Sequence, residues 1–147
     1  MAKKTFTFDD LNAELATLNP LGSIMATSGF SEVTEWIDSG NWHLNACISG
    51  SLFKGWPNNR SCSIAGPSGT GKTFLMLNTV REAINRGYMV IYYDSEAAVD
   101  RDLMQKFDID VTKVNYQPVN TVQEFRTSVT SITKKMQDAK RAGAEIP

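Results

Sequence analysis

The sequence predicts an α/β fold in which helices flank a parallel sheet and a separate helical segment precedes it. Three observations lead to this prediction. Stretches typical of strands and helices alternate from residue 60 to residue 142, a glycine-rich loop joins the first strand to the first helix, and the connections between strands are long enough for parallel crossovers. No apolar run reaches the ~18 residues needed to cross a membrane, so we expect no membrane partner.

The composition is that of an ordinary folded domain rather than of a disordered, secreted or strongly basic chain. The 147 residues are 41% hydrophobic and 21% charged, and fifteen Lys and Arg against sixteen Asp and Glu give a net charge of −1. This charge argues against a strongly basic nucleic-acid-binding module. Cys47 and Cys62 are the only cysteines and the N-terminus lacks a signal-peptide core, so we expect reduced thiols in a cytoplasmic protein.

The first 32 residues are predicted to be a helix followed by a linker. Thr7 caps this helix, and three apolar side chains share one of its faces: Leu11, Leu15 and Leu18. Residues 20–32 are rich in Gly and Ser and are typical of a linker. We therefore divide the chain into residues 1–32, a candidate arm for contact with another subunit, and residues 33–147, the main body.

The main body is predicted to contain three strands, over residues 60–65, 88–93 and 113–116. The first contains Cys62, which we expect to be buried, and the apolar second strand is expected to be buried on both faces. The predicted helices cover residues 72–86, a short stretch through Leu103, and residues 121–142, where Thr121 and Glu124 form a capping box. Gly87 and Gly143 supply helix stops.

Aromatic and histidine side chains contribute little to the functional prediction. His43 is the only histidine, so a metal site built from several histidines cannot form. The three tryptophans are predicted to pack in the core, because aromatic side chains dominate core burial and no basic stripe accompanies them: Trp36, Trp42 and Trp56.

The most specific motif is a phosphate-binding loop. The chain matches G-x-x-x-x-G-K-[ST] without a gap, through Gly66, Pro67, Ser68, Gly69, Thr70, Gly71, Lys72 and Thr73. Glycines permit positive φ, so that successive backbone N–H groups surround an anion, and the following helix adds its positive end. Lys72 is predicted to contact the β- and γ-phosphates of a nucleotide, and the Thr73 hydroxyl to bind Mg²⁺. The strand before the loop and the helix after it favour nucleotide binding over a chance glycine-rich turn.

Two carboxylates, Asp94 and Glu96, follow the strand predicted over residues 88–93. Ligands of open parallel sheets bind at the carboxyl ends of the strands, so we expect both side chains to face the phosphate loop. Glu96 in that place can orient and partly deprotonate the water that attacks a γ-phosphate. However, a hydrophobic strand ending in Asp is also the general form of the Mg²⁺-binding Walker B motif, so Asp94 is an alternative metal ligand.

Three further stretches accompany the loop: S-G-N-x-x-L-N over residues 39–45, P-N-N-R over 57–60 and Y-D-S-E over 93–96. In this order they resemble RecA-type recombinases, and most closely the phage UvsX branch. The resemblance covers about residues 33–143 and implies a RecA-like P-loop NTPase fold. It also implies an ATP-dependent filament on single-stranded DNA, which pairs that strand with homologous duplex and exchanges strands.

The resemblance also implies roles for individual residues, with ATP and Mg²⁺ as cofactors. Lys72 and Thr73 hold phosphate and Mg²⁺, and Glu96 is the counterpart of the water-activating glutamate. Asp100 falls where the family contacts adenine, although Leu103 stands where the family has a stacking tyrosine. In the family, Asp94 belongs to the D-x-E pattern and the Walker B aspartate comes later in the chain.

In the family, the strand after the last predicted helix carries Walker B and the DNA-binding loops follow it, whereas this sequence stops at Pro147. We therefore expect the N-terminal part of a recombinase, with an incomplete sheet, exposed apolar faces and little or no DNA-dependent ATPase activity of its own. A phage-encoded protein of this kind acts in the cytoplasm of a bacterial host. The alternatives are a small P-loop nucleotide or metabolite kinase that uses Asp94 as its Mg²⁺ ligand, and a non-catalytic nucleotide-binding fragment.

Overall fold

The computed structural model describes residues 6–19, 22–27 and 32–144. The chain forms two compact units, residues 1–34 and residues 35–147. Part of the predicted linker, including Pro20, lies outside the described residues. Within the described ranges, no helix combines the length and the apolar composition of a membrane span.

The N-terminal unit contains helix α1 (Phe8–Leu18) and a short 3₁₀ helix (Met25–Thr27). The predicted cap is confirmed, because the Thr7 hydroxyl oxygen accepts a hydrogen bond from the Asp10 N–H at 3.3 Å and the Asp10 carboxylate accepts one from the Thr7 N–H at 2.9 Å. No residue of α1 is buried within its own unit. Its exposed apolar side chains are Phe8, Leu11, Leu15 and Leu18.

The second unit is a mixed α/β structure. Its elements, in chain order, are β1 (Trp36–Ile37), α2 (Trp42–Ser49), β2 (Trp56–Pro57), α3 (Lys72–Asn85), β3 (Val90–Asp94), α4 (Arg101–Lys106), a 3₁₀ helix (Val111–Lys113), β4 (Val114–Pro118) and α5 (Val122–Arg141). Strands β1 and β2 pair in antiparallel fashion, whereas β3 and β4 form a parallel pair in which Val90 lies opposite Val114. The parallel sheet thus has two strands among the described residues.

The helix predictions are confirmed. Helix α3 ends at Asn85 and Gly87 follows with a φ of 86°, the left-handed conformation that glycine adopts most readily. Helix α5 begins with the predicted capping box of Thr121 and Glu124. Gly143, also at a φ of 86°, follows its end.

The apolar core lies between α3, α4 and one face of the β3–β4 sheet. Leu77 of α3 is its most buried member, at 1% exposure. The buried cluster comprises Leu77, Val80, Ile84, Val99, Met104 and Ile109, with Val90, Tyr92 and Val114 of the sheet packed against it. On the other face, the Tyr93 ring meets the edge of Phe125 of α5 at 5.0 Å between centroids, and its hydroxyl hydrogen-bonds Ser128 at 2.8 Å. Helix α5 has no buried residue.

A buried polar network holds α2 to the loops around it; we call it the Asn45 network. The Asn45 side-chain oxygen accepts hydrogen bonds from the Ser39 N–H at 3.0 Å and the Ser39 hydroxyl at 2.7 Å. Its amide group donates to Asp38 at 2.9 Å and to the Leu52 carbonyl at 2.8 Å. Asn45 and Ser39 are fully buried, so these four bonds satisfy polar groups that water cannot reach.

The strand predicted over residues 60–65 is wrong. This segment has no regular secondary structure, and Cys62 is exposed rather than buried. A strand is stable only when its N–H and C=O groups pair with a neighbour, and among the described residues β3 pairs with β4 alone. The segment also has a single large apolar side chain, Ile64, which is too little to hold it in a core.

Two burial predictions are also wrong. Strand β3 begins at Val90 rather than at residue 88. It is not buried on both faces, because Ile91 is 39% exposed and lines an open cleft with Ile132 and Met136 of α5. Trp42 is 67% exposed, because it is the first residue of α2 and the polar Asn45 occupies the buried side of that helix. Trp36 and Trp56 are partly buried in the β1–β2 pair.

Candidate functional site

The predicted phosphate loop leads directly into α3, and two of its glycines have a positive φ. Gly69 and Gly71 have φ values of 78° and 87°, where a residue with a β-carbon is strained. A β-carbon at either position would meet nothing within 4 Å, so conformation rather than space calls for glycine there. Gly71 is the N-cap of α3 and no side chain caps the helix. The first N–H groups of α3 are therefore available to an anion.

Lys72, the first residue of α3, folds back over the loop. Its ammonium group donates hydrogen bonds to the carbonyl oxygens of Gly66 at 2.9 Å and Pro67 at 2.8 Å. The Thr70 hydroxyl also donates to the Pro67 carbonyl, at 2.9 Å. A positive charge is thus held across the loop, at the end of α3 where the helix dipole is also positive.

A cleft of about 480 Å³ lies beside the loop. This volume is within the range of small-molecule binding sites. Two of the predicted cofactor ligands, Lys72 and Thr73, line it together with Arg60, so it carries two cationic side chains. Its other walls are formed by Trp56, Pro57, Cys62, Ser63, Ile64, Met76, Thr79 and Tyr92.

At the end of β3, Asp94 is buried, at 8% exposure, and its carboxylate is fully engaged within the chain. One oxygen accepts a hydrogen bond from the Glu96 N–H at 2.9 Å. The other accepts from the Val99 N–H and from the Tyr116 hydroxyl, both at 3.2 Å. Both oxygens therefore stabilise the turn after β3, which argues against the interpretation of Asp94 as a Mg²⁺ ligand.

These contacts set the ionisation of Asp94. Burial raises the pKa of its carboxyl, but the hydrogen bonds from the backbone of Glu96 and Val99 and from Tyr116 outweigh burial and hold the pKa below its ordinary value of 3.8. The folded state therefore favours the charged carboxylate over the neutral carboxylic acid.

We expect the stability that Asp94 contributes to be lost in acid. Because the folded-state pKa is lower than 3.8, the contribution is present above that pH and disappears as the pH falls through the folded-state pKa. The free energy of unfolding, measured with urea at a series of pH values, should fall in acid in the wild type. In Asp94→Asn it should fall less steeply over the same acid range. Acid limbs of equal slope in the two proteins would contradict the prediction.

Glu96 and Asp100 lie outside the loop of residues 66–73, in the segment that follows β3. Glu96 is exposed, and its backbone is held by Asp94. Asp100 is the N-cap of α4, where its carboxylate accepts a hydrogen bond from the Leu103 N–H at 2.7 Å. Among the described residues, no hydrogen bond joins either carboxylate to the phosphate loop, nor do three His, Cys, Asp or Glu side chains group as a metal site.

Tyr116 is a residue that sequence reasoning missed. It lies on β4, where it donates to Asp94 and its ring stacks on that of Tyr92 at 6.3 Å between centroids. The parallel register, which places Tyr116 directly opposite Tyr92, could have revealed it. No local motif marks this position, so only the strand pairing identifies it.

Comparisons with known proteins agree with the motif resemblance. The family model described as RecA N-terminal domain matches residues 15–134, beginning earlier than residue 33, where the motif resemblance starts. The RecA protein of Bacteroides thetaiotaomicron is 35% identical over 91 residues, which cover 61% of this chain and 27% of the relative. The RecA protein of Acidiphilium cryptum is 32% identical over 111 residues, covering 74% and 32%.

A third relative, the RecA protein of Cytophaga hutchinsonii, is 29% identical over 122 residues, covering 78% of this chain and 34% of its own length. The chain thus spans about a third or less of the length of these relatives. Since the family match takes in most of its residues, the chain belongs to the RecA family.

Proposed function

We propose that this chain is the ATP-binding part of a RecA-type DNA recombination and repair protein with a P-loop NTPase fold. Membership of the RecA family supports this proposal. The observation that carries it is the Lys72 ammonium group, which lies within 2.9 Å of the Gly66 and Pro67 carbonyl oxygens at the start of a helix without a side-chain cap. A triphosphate fits this arrangement, because it needs both a cation and free N–H groups.

In this proposal the loop residues 66–73 hold the phosphates of ATP through their backbone N–H groups. Lys72 exchanges its carbonyl partners for phosphate oxygens, and the Thr73 hydroxyl is the chain's ligand for Mg²⁺. Mg²⁺ held there would neutralise negative charge on the phosphates. Glu96 orients and deprotonates the attacking water, and Asp100 contacts the adenine through the carboxylate oxygen that does not cap α4.

The functions of the longer relatives extend this proposal. A protein of which this chain is a part would assemble as an ATP-dependent filament on single-stranded DNA and exchange strands with homologous duplex. The motifs S-G-N-x-x-L-N and D-S-E favour the phage UvsX branch within the family. The exposed apolar face of α1 offers a surface for contact between subunits in such a filament.

Replacing Lys72 with alanine should abolish most nucleotide binding. The change removes the cation while leaving α3 intact, because alanine is a good helix former. We expect titration calorimetry with Mg²⁺-ATP to show an affinity at least about 30-fold weaker than that of the wild type. This is the loss in affinity that removal of one charge-assisted phosphate contact causes. Lys134→Ala, on the exposed surface of α5, is the matched control and should bind as the wild type does.

Equal affinities of the wild type and Lys72→Ala would contradict the proposed site. Thr73→Ala provides a second measurement, since it should weaken binding in the presence of Mg²⁺ and have little effect in EDTA.

Rapid phosphoryl transfer from ATP to a small acceptor would contradict the recombinase assignment and favour the kinase alternative.

A further inference from the structure

The turn that carries Glu96 has a backbone conformation that needs support. Ala97, the next residue, has a φ of 52°, in the left-handed region that residues with a β-carbon rarely adopt. Such a residue is strained and persists only where its surroundings fix it. The direction of the Glu96 side chain depends on this turn, because its own carboxylate makes no hydrogen bond among the described residues.

The support comes from Asp94. One of its oxygens accepts the Glu96 N–H at the start of the turn, and the other accepts the Val99 N–H at its end. The Asp94 carboxylate therefore bridges both ends of the turn. Its own orientation decides where the turn, and with it Glu96, is placed.

Asp94 is in turn held from the neighbouring strand. The Tyr116 hydroxyl donates to the Asp94 oxygen that binds Val99, at 3.2 Å, and this is the one side-chain donor to Asp94 among the described residues. The Tyr116 ring, which is 39% exposed, stacks on Tyr92 with 10° between the ring planes. A chain of contacts thus runs from β4 through Tyr116 and Asp94 to the backbone of Glu96.

We propose that Tyr116 is a positioning residue that acts through Asp94 to hold the Glu96 carboxylate in the direction it needs toward a bound nucleotide. This inference rests on the proposed function for the role of Glu96, whereas the hydrogen-bond chain itself does not depend on it. Tyr116→Phe removes the hydroxyl and keeps the ring. Tyr93→Phe is the matched control, because it removes a hydroxyl that binds Ser128 on the opposite face of the sheet, one residue before Asp94.

Two NMR measurements on the full chain test this proposal. In the first, amide exchange at Glu96 and Val99 should be about 2- to 10-fold faster in Tyr116→Phe than in the wild type, the effect of losing one hydrogen bond. In the second, the carboxyl ¹³C resonance of Glu96 should shift on addition of Mg²⁺ and a non-hydrolysable ATP analogue. In Tyr116→Phe this shift should be lost although the nucleotide affinity stays within about 2-fold, and Tyr93→Phe should match the wild type in both measurements.

The outcomes separate this inference from the proposed function. Unchanged amide exchange in Tyr116→Phe would overturn the inference. If the wild type still bound nucleotide in that case, the proposed function would stand. Faster exchange with an unchanged Glu96 shift would also overturn it, because Tyr116 would then have only a structural role. A wild type that binds no nucleotide would overturn the proposed function, and with it the positioning role of Tyr116.

Discussion

Gly55→Ala is expected to destabilise the second unit severely. A β-carbon at this buried position would lie 2.3 Å from the Ile37 carbonyl oxygen, 2.6 Å from the Ser39 nitrogen and 2.7 Å from the Asn45 side-chain oxygen. Two of these atoms are backbone and the third is fixed by hydrogen bonds, so none can move cheaply. We expect a loss of about 4 kcal/mol or more, a large share of the stability of a small domain, measured by urea unfolding.

Gly50→Ala is the control for this substitution. Gly50 has a φ of 74°, but a β-carbon there would meet nothing within 4 Å. The control therefore carries only the cost of a left-handed alanine, about 1–2 kcal/mol. If Gly55→Ala were no more destabilising than Gly50→Ala, the close approach of β1, α2 and the loop around Gly55 would not hold in solution.

The features that the sequence predicted correctly are encoded by neighbouring residues. The predicted cap at Thr7 and the predicted capping box at Thr121 each involve a partner three residues away, Asp10 and Glu124, so that both partners are visible in one turn of chain. The helix stops at Gly87 and Gly143 are similarly local. The resemblance to RecA-type recombinases extended the prediction from these single elements to the fold and the function.

The features that were missed depend on distant residues. Helix α2 escaped prediction because its fully buried side chain is Asn45, so the apolar periodicity that marks a helix face is absent there. The strand predicted over residues 60–65 requires a pairing partner, and among the described residues β3 pairs with β4 alone. The structural role of Asp94 depends on Tyr116, which lies 22 residues away in sequence.

Asn45→Asp should destabilise the protein strongly at neutral pH. The new carboxylate still accepts the two hydrogen bonds from Ser39, but it can no longer donate to Asp38 or to the Leu52 carbonyl. It also places a second negative charge next to the Asp38 carboxylate, because the Asn45 nitrogen that the new oxygen replaces lies 2.9 Å from an Asp38 oxygen in the wild type. We expect about 3–5 kcal/mol of destabilisation at pH 7, measured by urea unfolding, because lost bonds and charge repulsion act together.

The pH dependence of this variant distinguishes repulsion from simple loss of contacts. Two carboxylates at hydrogen-bond distance share a proton, so the folded state of Asn45→Asp binds a proton more tightly than its unfolded state. The variant should therefore regain part of its stability as the pH falls from 7 toward about 5, where the wild type changes little. Asn45→Ala is the control, since it loses all four hydrogen bonds without adding a charge and should gain nothing over this interval. Parallel pH profiles of the two variants would show that Asp38 and residue 45 do not meet in the folded protein.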